Sequence, residues 1–262
     1  FYANDIFMGG IDMGTGDILA HAQDSGVDEG RLTVDGNIDR DEAGNSTLDL
    51  RADHLVYITS ANITSTTGAI DIILNADRDA DEDGRVVLIT SDIATNGGYF
   101  IAGGGSGDIG GIDGILGNGD GTGADDSFAY ASGFGDGANI QDSIITTSGG
   151  DIILNGYAQG AGTDDGIHIQ GTSSISSGDG RIILTGTSTG DTSGPTGIVL
   201  YGSTTISSVG GNIDITATST NDYGFRIADN TGITTTDGNI TITASSSTLE
   251  DIYGDGNAIS ST

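Results

Sequence analysis

Two stretches near the end of the chain decide its architecture: Gly211-Asn212-Ile213-Asp214-Ile215-Thr216-Ala217 and Gly238-Asn239-Ile240-Thr241-Ile242-Thr243-Ala244. Side chains alternate between the two faces of a strand, so Ile213, Ile215 and Ala217 share one face, as do Ile240, Ile242 and Ala244. Earlier copies read Asp151-Ile152-Ile153-Leu154-Asn155 and Arg181-Ile182-Ile183-Leu184-Thr185. Each follows an isoleucine by seven residues, with a glycine two residues before the second apolar position. The pairs are Ile11/Ile18, Ile63/Ile70, Ile93/Phe100, Ile145/Ile152, Ile175/Ile182, Ile206/Ile213 and Ile233/Ile240, with Gly16, Gly68, Gly98, Gly150, Gly180, Gly211 and Gly238.

Working outward, a second strand precedes the first isoleucine of a pair, as in Gly166-Ile167-His168-Ile169, Gly197-Ile198-Val199-Leu200 and Gly224-Phe225-Arg226-Ile227. A unit of three short strands therefore recurs, with steps of 30, 31 and 27 residues counted from Ile152 to Ile182, Ile213 and Ile240. Such a unit cannot bury its apolar face alone, and stacking like units buries it continuously. The expectation is one all-β domain over 1–262, a parallel β-helix or β-solenoid of about eight coils and roughly 40 Å length at the spacing of paired strands. The doublets Thr146-Thr147, Ser176-Ser177, Ser207-Ser208 and Thr234-Thr235 should stack as hydroxyl ladders at one corner. An antiparallel sandwich or barrel is the alternative, but its strands would not repeat in sequence. The rhythm breaks in a Gly/Asp-rich insertion or degenerate coil at about 103–137, and Ile38 to Leu48 looks like the same step with about three extra residues.

Composition narrows the function. There are 47 Gly, no Cys, and 38 acids against 7 basic residues, all Arg, for a formal charge of −31. That field opposes nucleic acid and anionic membrane and favours cations. No apolar run is long enough for a spanning helix. An acidic, lysine-free chain fits a salty or calcium-rich exterior.

The motifs Gly211–Ala217 and Gly238–Ala244, with Ile-Thr-Thr steps such as Ile145-Thr146-Thr147 and Ile233-Thr234-Thr235, resemble the repeats of filamentous-haemagglutinin-like bacterial adhesins. The resemblance covers most of the chain and is best from about 139 to 262. It implies a right-handed β-helix shaft, secreted or at the bacterial cell surface, with a structural or adhesive role, a cell-surface or carbohydrate partner, and no catalysis. Subunits stacking end to end, or continuation in a longer chain, would extend the shaft.

Several local patterns compete for a site. Asp77-Arg78-Asp79-Ala80-Asp81-Glu82-Asp83-Gly84 places Asp79, Asp81, Asp83 and Gly84 at positions 1, 3, 5 and 6 of a calcium loop, with Asp77 beside them. Thr90 stands where a bidentate Glu would be expected. Weaker echoes are Asp39 with Asp41 and Asn118 with Asp120. Thr163-Asp164-Asp165-Gly166-Ile167-His168 is the strongest enzyme candidate, since glycoside cleavage uses paired carboxylates. No matching acid recurs in the next coil, where Thr196-Gly197-Ile198 stands, so it reads as a turn. A polysaccharide-degrading enzyme would show clustered Asp and Arg in a groove over adjacent coils. An ice- or carbohydrate-binding module would show a flat outward Thr or aromatic array. Finally, Leu19, Ile101, Ile153 and Ile183 should point outward. Such a stripe is either covered by an inserted loop or forms a lateral interface between subunits.

Overall fold

The structure is a computed structural model. It describes residues 2–24, 30–79, 83–105, 129–132, 135–159, 164–189, 194–248, 250–255 and 258–261. The described residues form three parallel sheets. One unit runs Ile152–Gln159, Ile167–Gln170 and Ser174–Ser176. The next runs Ile182–Ser188, Ile198–Leu200 and Thr205–Ser208. The long strands of successive units pair with one another, as do the second and the third, so each sheet is a path of nine strands. The described residues thus stack as a β-solenoid, with a rung count close to that suggested by the spacing. Every ladder is parallel, which excludes the sandwich.

The isoleucine that opens each repeat forms one unbroken ladder in the third sheet: Ile11, Ile38, Ile63, Ile93, Ile145, Ile175, Ile206, Ile233 and Ile259 stand in register. Those from Ile38 to Ile233 are at most 1% exposed. Opposite them the first sheet aligns Ile18, Leu48, Ile72, Phe100, Ile152, Ile182, Ile213 and Ile240. Leu48 is therefore in step despite its extra residues. In the pair Ile63/Ile70 the residue in register is Ile72, and Ile70 pairs with Ser46 two residues earlier. Each such buried side chain contributes about 1.5–3 kcal/mol against exposure. The second sheet closes the triangle through residues such as Val56, Val86, Ile167, Ile198 and Phe225, all buried.

The glycine of each repeat is explained at the corner between the third and first sheets. A Cβ on Gly150, Gly180, Gly211 or Gly238 would overlap the carbonyl oxygen of the corresponding glycine one rung earlier: Gly98, Gly150, Gly180 and Gly211 respectively. None of these four has a positive φ, so space is the requirement, not left-handed backbone. The second hydroxyl of each doublet sits inward here, and Ser177 donates to the Gly180 carbonyl at 2.6 Å. A second hydroxyl ladder, not anticipated, turns the corner between the second and third sheets. Ser143, Ser173 and Thr204 donate to Gln141, Gln170 and Tyr201 carbonyls at 2.8, 2.6 and 2.9 Å. Buried turns need internal partners for their carbonyls, and these hydroxyls supply them.

The outward apolar stripe of the first sheet exists, running from Ile73 through Ile101 and Ile153 to Ile183. Most of it is covered within the chain. Ile73, Ile101 and Ile153 are only 4%, 2% and 3% exposed within the single chain, with Tyr99 and Ile183 packed against them. The stripe ends where Asp49 and Asp214 take the same position. Most of the 103–137 segment invoked as its cover lies outside the described residues. Of that segment, Ala129–Ser132 adds a further strand to the first sheet, beside Ile152–Gln159.

The corner geometry predicts that Gly180→Ala costs about 2 kcal/mol or more, because backbone and not a flexible side chain fills the space. Gly16→Ala should stay within about 0.5 kcal/mol, since a Cβ there meets nothing nearer than the Met13 carbonyl at 3.8 Å. Thermal or urea unfolding of the two variants checks this, and equal losses would contradict it.

Candidate functional site

The outer face of the second sheet carries a row that does not repeat. Tyr57, Val87, Asn139, His168, Val199 and Arg226 follow one another in register. Two cavities of about 370 Å³ each lie along it. Arg31, Tyr57, Arg85, Asn139 and Gln141 line one, and His168, Gln170, Tyr201, Asp222 and Arg226 line the other. Asp136 belongs to the first and Asp165 to the second. Three of the chain's 7 Arg therefore face this groove.

Asp136, from the lining of the first cavity, stands beside Asp165 and His168, from the lining of the second. His168 is the outward residue of Ile167–Gln170, whose neighbours Ile167 and Ile169 are buried. Asp136 and Asp165 each lie two residues before a strand of the second sheet, and the pairing of Ala138 with Ile167 puts them one above the other. Backbone bonds between rungs fix both. Asp165 N donates to Asp136 Oδ1 at 2.8 Å, and Thr196 N donates to Asp165 Oδ1 at 2.7 Å. Asn139 Nδ2 donates to Asp136 Oδ2 at 2.6 Å. His168 Nδ1 then faces Asp165 Oδ2 at 3.2 Å and Asp136 Oδ2 at 3.5 Å. The three ligand atoms lie within 4.8 Å of one another, the one such trio of acids, His or Cys among the described residues.

Burial alone would lower the proton affinity of His168. The hydrogen bonds and charges of Asp136 and Asp165 outweigh it and push the imidazole up to about 10. Burial pushes the Asp165 carboxyl up to about 6, further than the neighbouring His168 pulls it down. Near neutrality the imidazole therefore keeps its proton beside Asp165 and Asp136. Elsewhere in the groove Asp222 Oδ1, Arg226 Nε and Asn139 Oδ1 are buried without a hydrogen-bond partner.

The sites expected from sequence fare differently. Asp77 is buried in a left-handed turn with φ 58°, Asp79 is exposed, and Asp83 lies 3.6 Å from His54 Nδ1. Among the described residues these three do not converge as a ligand set, and Asp81 lies outside them. Asp39 and Asp41 are both exposed. Strand alternation turns the residue between them, Arg40, into the corner, where it donates to the Gly44 carbonyl at 2.6 Å. Asp39 accepts from the Thr64 hydroxyl at 2.9 Å, and the two carboxylates flank a buried guanidinium at a strand end. Asn118 and Asp120 lie outside the described residues. The Asp164–His168 turn does acquire a second acid, but from the preceding rung. Asp136 is 29 residues earlier, one repeat step back, and counting backward as well as forward would have found it. Asp222 and Arg226 become neighbours of His168 only through the stacking.

No family model, no curated protein and no solved structure matches the chain. The resemblance to haemagglutinin-like repeats rests on the repeat motif alone.

The pH dependence of the trio follows from its directions. A group whose proton affinity is higher in the folded chain stabilises it below its ordinary value and loses that contribution as pH rises through the folded value. For His168 the window runs from 6.5 to about 10; for Asp165 it runs from 3.8 to about 6. In chelator-treated protein, the stability advantage of the wild type over His168→Gln should shrink steadily from pH 6.5 to 10. The imidazole proton resonances should titrate near 10, and a midpoint near 6.5 would contradict the arrangement.

Proposed function

We propose that the chain is a rod of an extracellular structural or adhesive protein, and that it adheres by holding an extended glycan along the groove on its second sheet. The observation that carries this reading is the groove itself. It crosses successive rungs, and its wall combines guanidinium groups, side-chain amides, carboxylates and the rings of Tyr57 and Tyr201. Those are the groups that pair with sugar hydroxyls and stack on sugar faces. Rungs about 4.8 Å apart are close to the length of one sugar residue, so each rung can address one unit of a linear chain. Buried polar atoms without protein partners, on Asn139, Asp222 and Arg226, are satisfied when hydroxyls or ordered water reach them. The charge of −31 keeps nucleic acids away while three Arg keep the groove itself from being uniformly negative. Placement outside the cell agrees with the acidic, lysine-free composition and the resemblance of the repeats.

A glycan-cleaving enzyme is the second reading, favoured by the raised carboxyl of Asp165 beside Asp136. Its geometry argues against it. The two carboxylates converge on one imidazole within 4.8 Å instead of facing each other across the width of a sugar, which takes about 5 Å or more.

Glycan-array binding of the purified chain, followed by calorimetry on the best ligand, tests the proposal. Tyr57→Ala and Arg85→Ala should each weaken binding about tenfold, or about 1.4 kcal/mol, with the ligand recovered intact. Binding indifferent to both substitutions would sink the groove reading, and shortened ligand would favour the enzyme.

A further inference from the structure

We infer that Asp136, Asp165 and His168 are a binding site for a divalent cation of the zinc class. The argument begins with distance. A charged hydrogen bond between imidazole and carboxylate closes to about 2.7–2.9 Å, and the chain holds an imidazole and a carboxylate at that distance elsewhere: His21 Nε2 and Asp53 Oδ1 are 2.7 Å apart. His168 stands farther from both of its partners. Its Nδ1 stands 3.2 Å from Asp165 Oδ2 and 3.5 Å from Asp136 Oδ2. Ligand atoms bound at zinc distances in a tetrahedron are about 3.3–3.5 Å apart, so the two separations fit the edges of a coordination shell better than a salt bridge.

The support around the three atoms has the same character. Metal-binding carboxylates are usually held by outer hydrogen bonds. Here the backbone N–H of Asp165 and of Thr196 and the Asn139 amide hold them. Two carboxylates and a neutral imidazole balance one divalent charge, and the ion takes the place of the proton held on Nδ1 in its absence.

An independent observation points to a cation as well. Asp222, 9% exposed, lines the same cavity as Asp165 and His168, and its Oδ1 is buried without a hydrogen-bond partner. The cavity's guanidinium, on Arg226, lies 6.0 Å from the Tyr253 ring centroid. The nitrogen ligand sets the class. Calcium takes oxygen ligands, whereas imidazole with carboxylate suits zinc and its transition-metal neighbours. This site is therefore distinct in place and in chemistry from the acidic turn at Asp77 to Asp83.

The test uses the full chain stripped with chelator and titrated with Zn²⁺ by calorimetry, with Ca²⁺ in parallel. Co²⁺ absorption serves as the spectroscopic probe. The expected result is one saturable zinc per chain, a Co²⁺ spectrum of low-coordinate form, and no comparable calcium event. His168→Gln and Asp165→Asn should each weaken zinc more than about a hundredfold, while Asp79→Asn leaves it unchanged. Circular dichroism confirms that each variant keeps its strands. Should a variant fail to fold, the Co²⁺ spectrum and zinc stoichiometry of the wild type still decide. Weak, unsaturable binding, a Co²⁺ spectrum like that of the free aquo ion, or zinc binding unchanged by His168→Gln would overturn the inference.

Discussion

Everything in this molecule hangs on how closely one rung can approach the next. Parallel pairing sets a spacing of about 4.8 Å, and at the corner between the third and first sheets the approach is backbone on backbone. The carbonyls of Gly98, Gly150, Gly180 and Gly211 occupy the space where the next glycine's side chain would be. A single larger residue there would lift the following rung and weaken the hydrogen-bond ladders of the sheets it joins. The glycine is thus the condition for the isoleucine ladder, and the isoleucine ladder is the source of burial.

In-register stacking also sets each residue beside its own kind. For isoleucine that is favourable. For a chain with 38 acids it threatens a column of like charges. The structure relieves this by letting an outward carboxylate or amide oxygen accept the backbone N–H of the rung above. Asp17 does so for Thr47, Asp71 for Tyr99, Asp151 for Arg181, Asp142 for Thr172 and Asn212 for Asn239. Asp136 and Asp165 are two consecutive members of the same device. One oxygen of each serves the fold, and the other is left to turn toward His168. The candidate site is built from a structural habit of the whole rod.

How much of this could be read from the residues follows from the same constraint. The inward positions were legible because each is repeated: Ile145, Ile175, Ile206 and Ile233 announce one another. The second hydroxyl ladder was missed because Ser143, Ser173 and Thr204 sit among many other Ser and Thr, and only burial separates them. Ile72 was missed because Ile70, also buried, satisfied the spacing two residues early. The stripe through Ile101 and Ile153 was correctly turned outward by alternation, but alternation is silent on what packs against an outer face. The Asp77–Asp83 pattern drew attention because its residues are adjacent in sequence, whereas the trio that does converge is split between two rungs.

That last contrast bears on where function resides in such a fold. A row inside the rod must repeat or the rungs will not stack. An outer row is free of that demand, and the row through Tyr57, Val87, Asn139, His168, Val199 and Arg226 uses the freedom fully, with no residue like its neighbour on the next rung. Stacking then supplies what loops supply in other folds. It holds side chains about 30 residues apart in sequence at fixed spacing on a rigid support, with their backbone partners already in place. Preorganisation of that kind removes ordering cost from binding. A polar groove on a solenoid therefore has the means to grip a long, flexible ligand that a loop-built surface would have to order first.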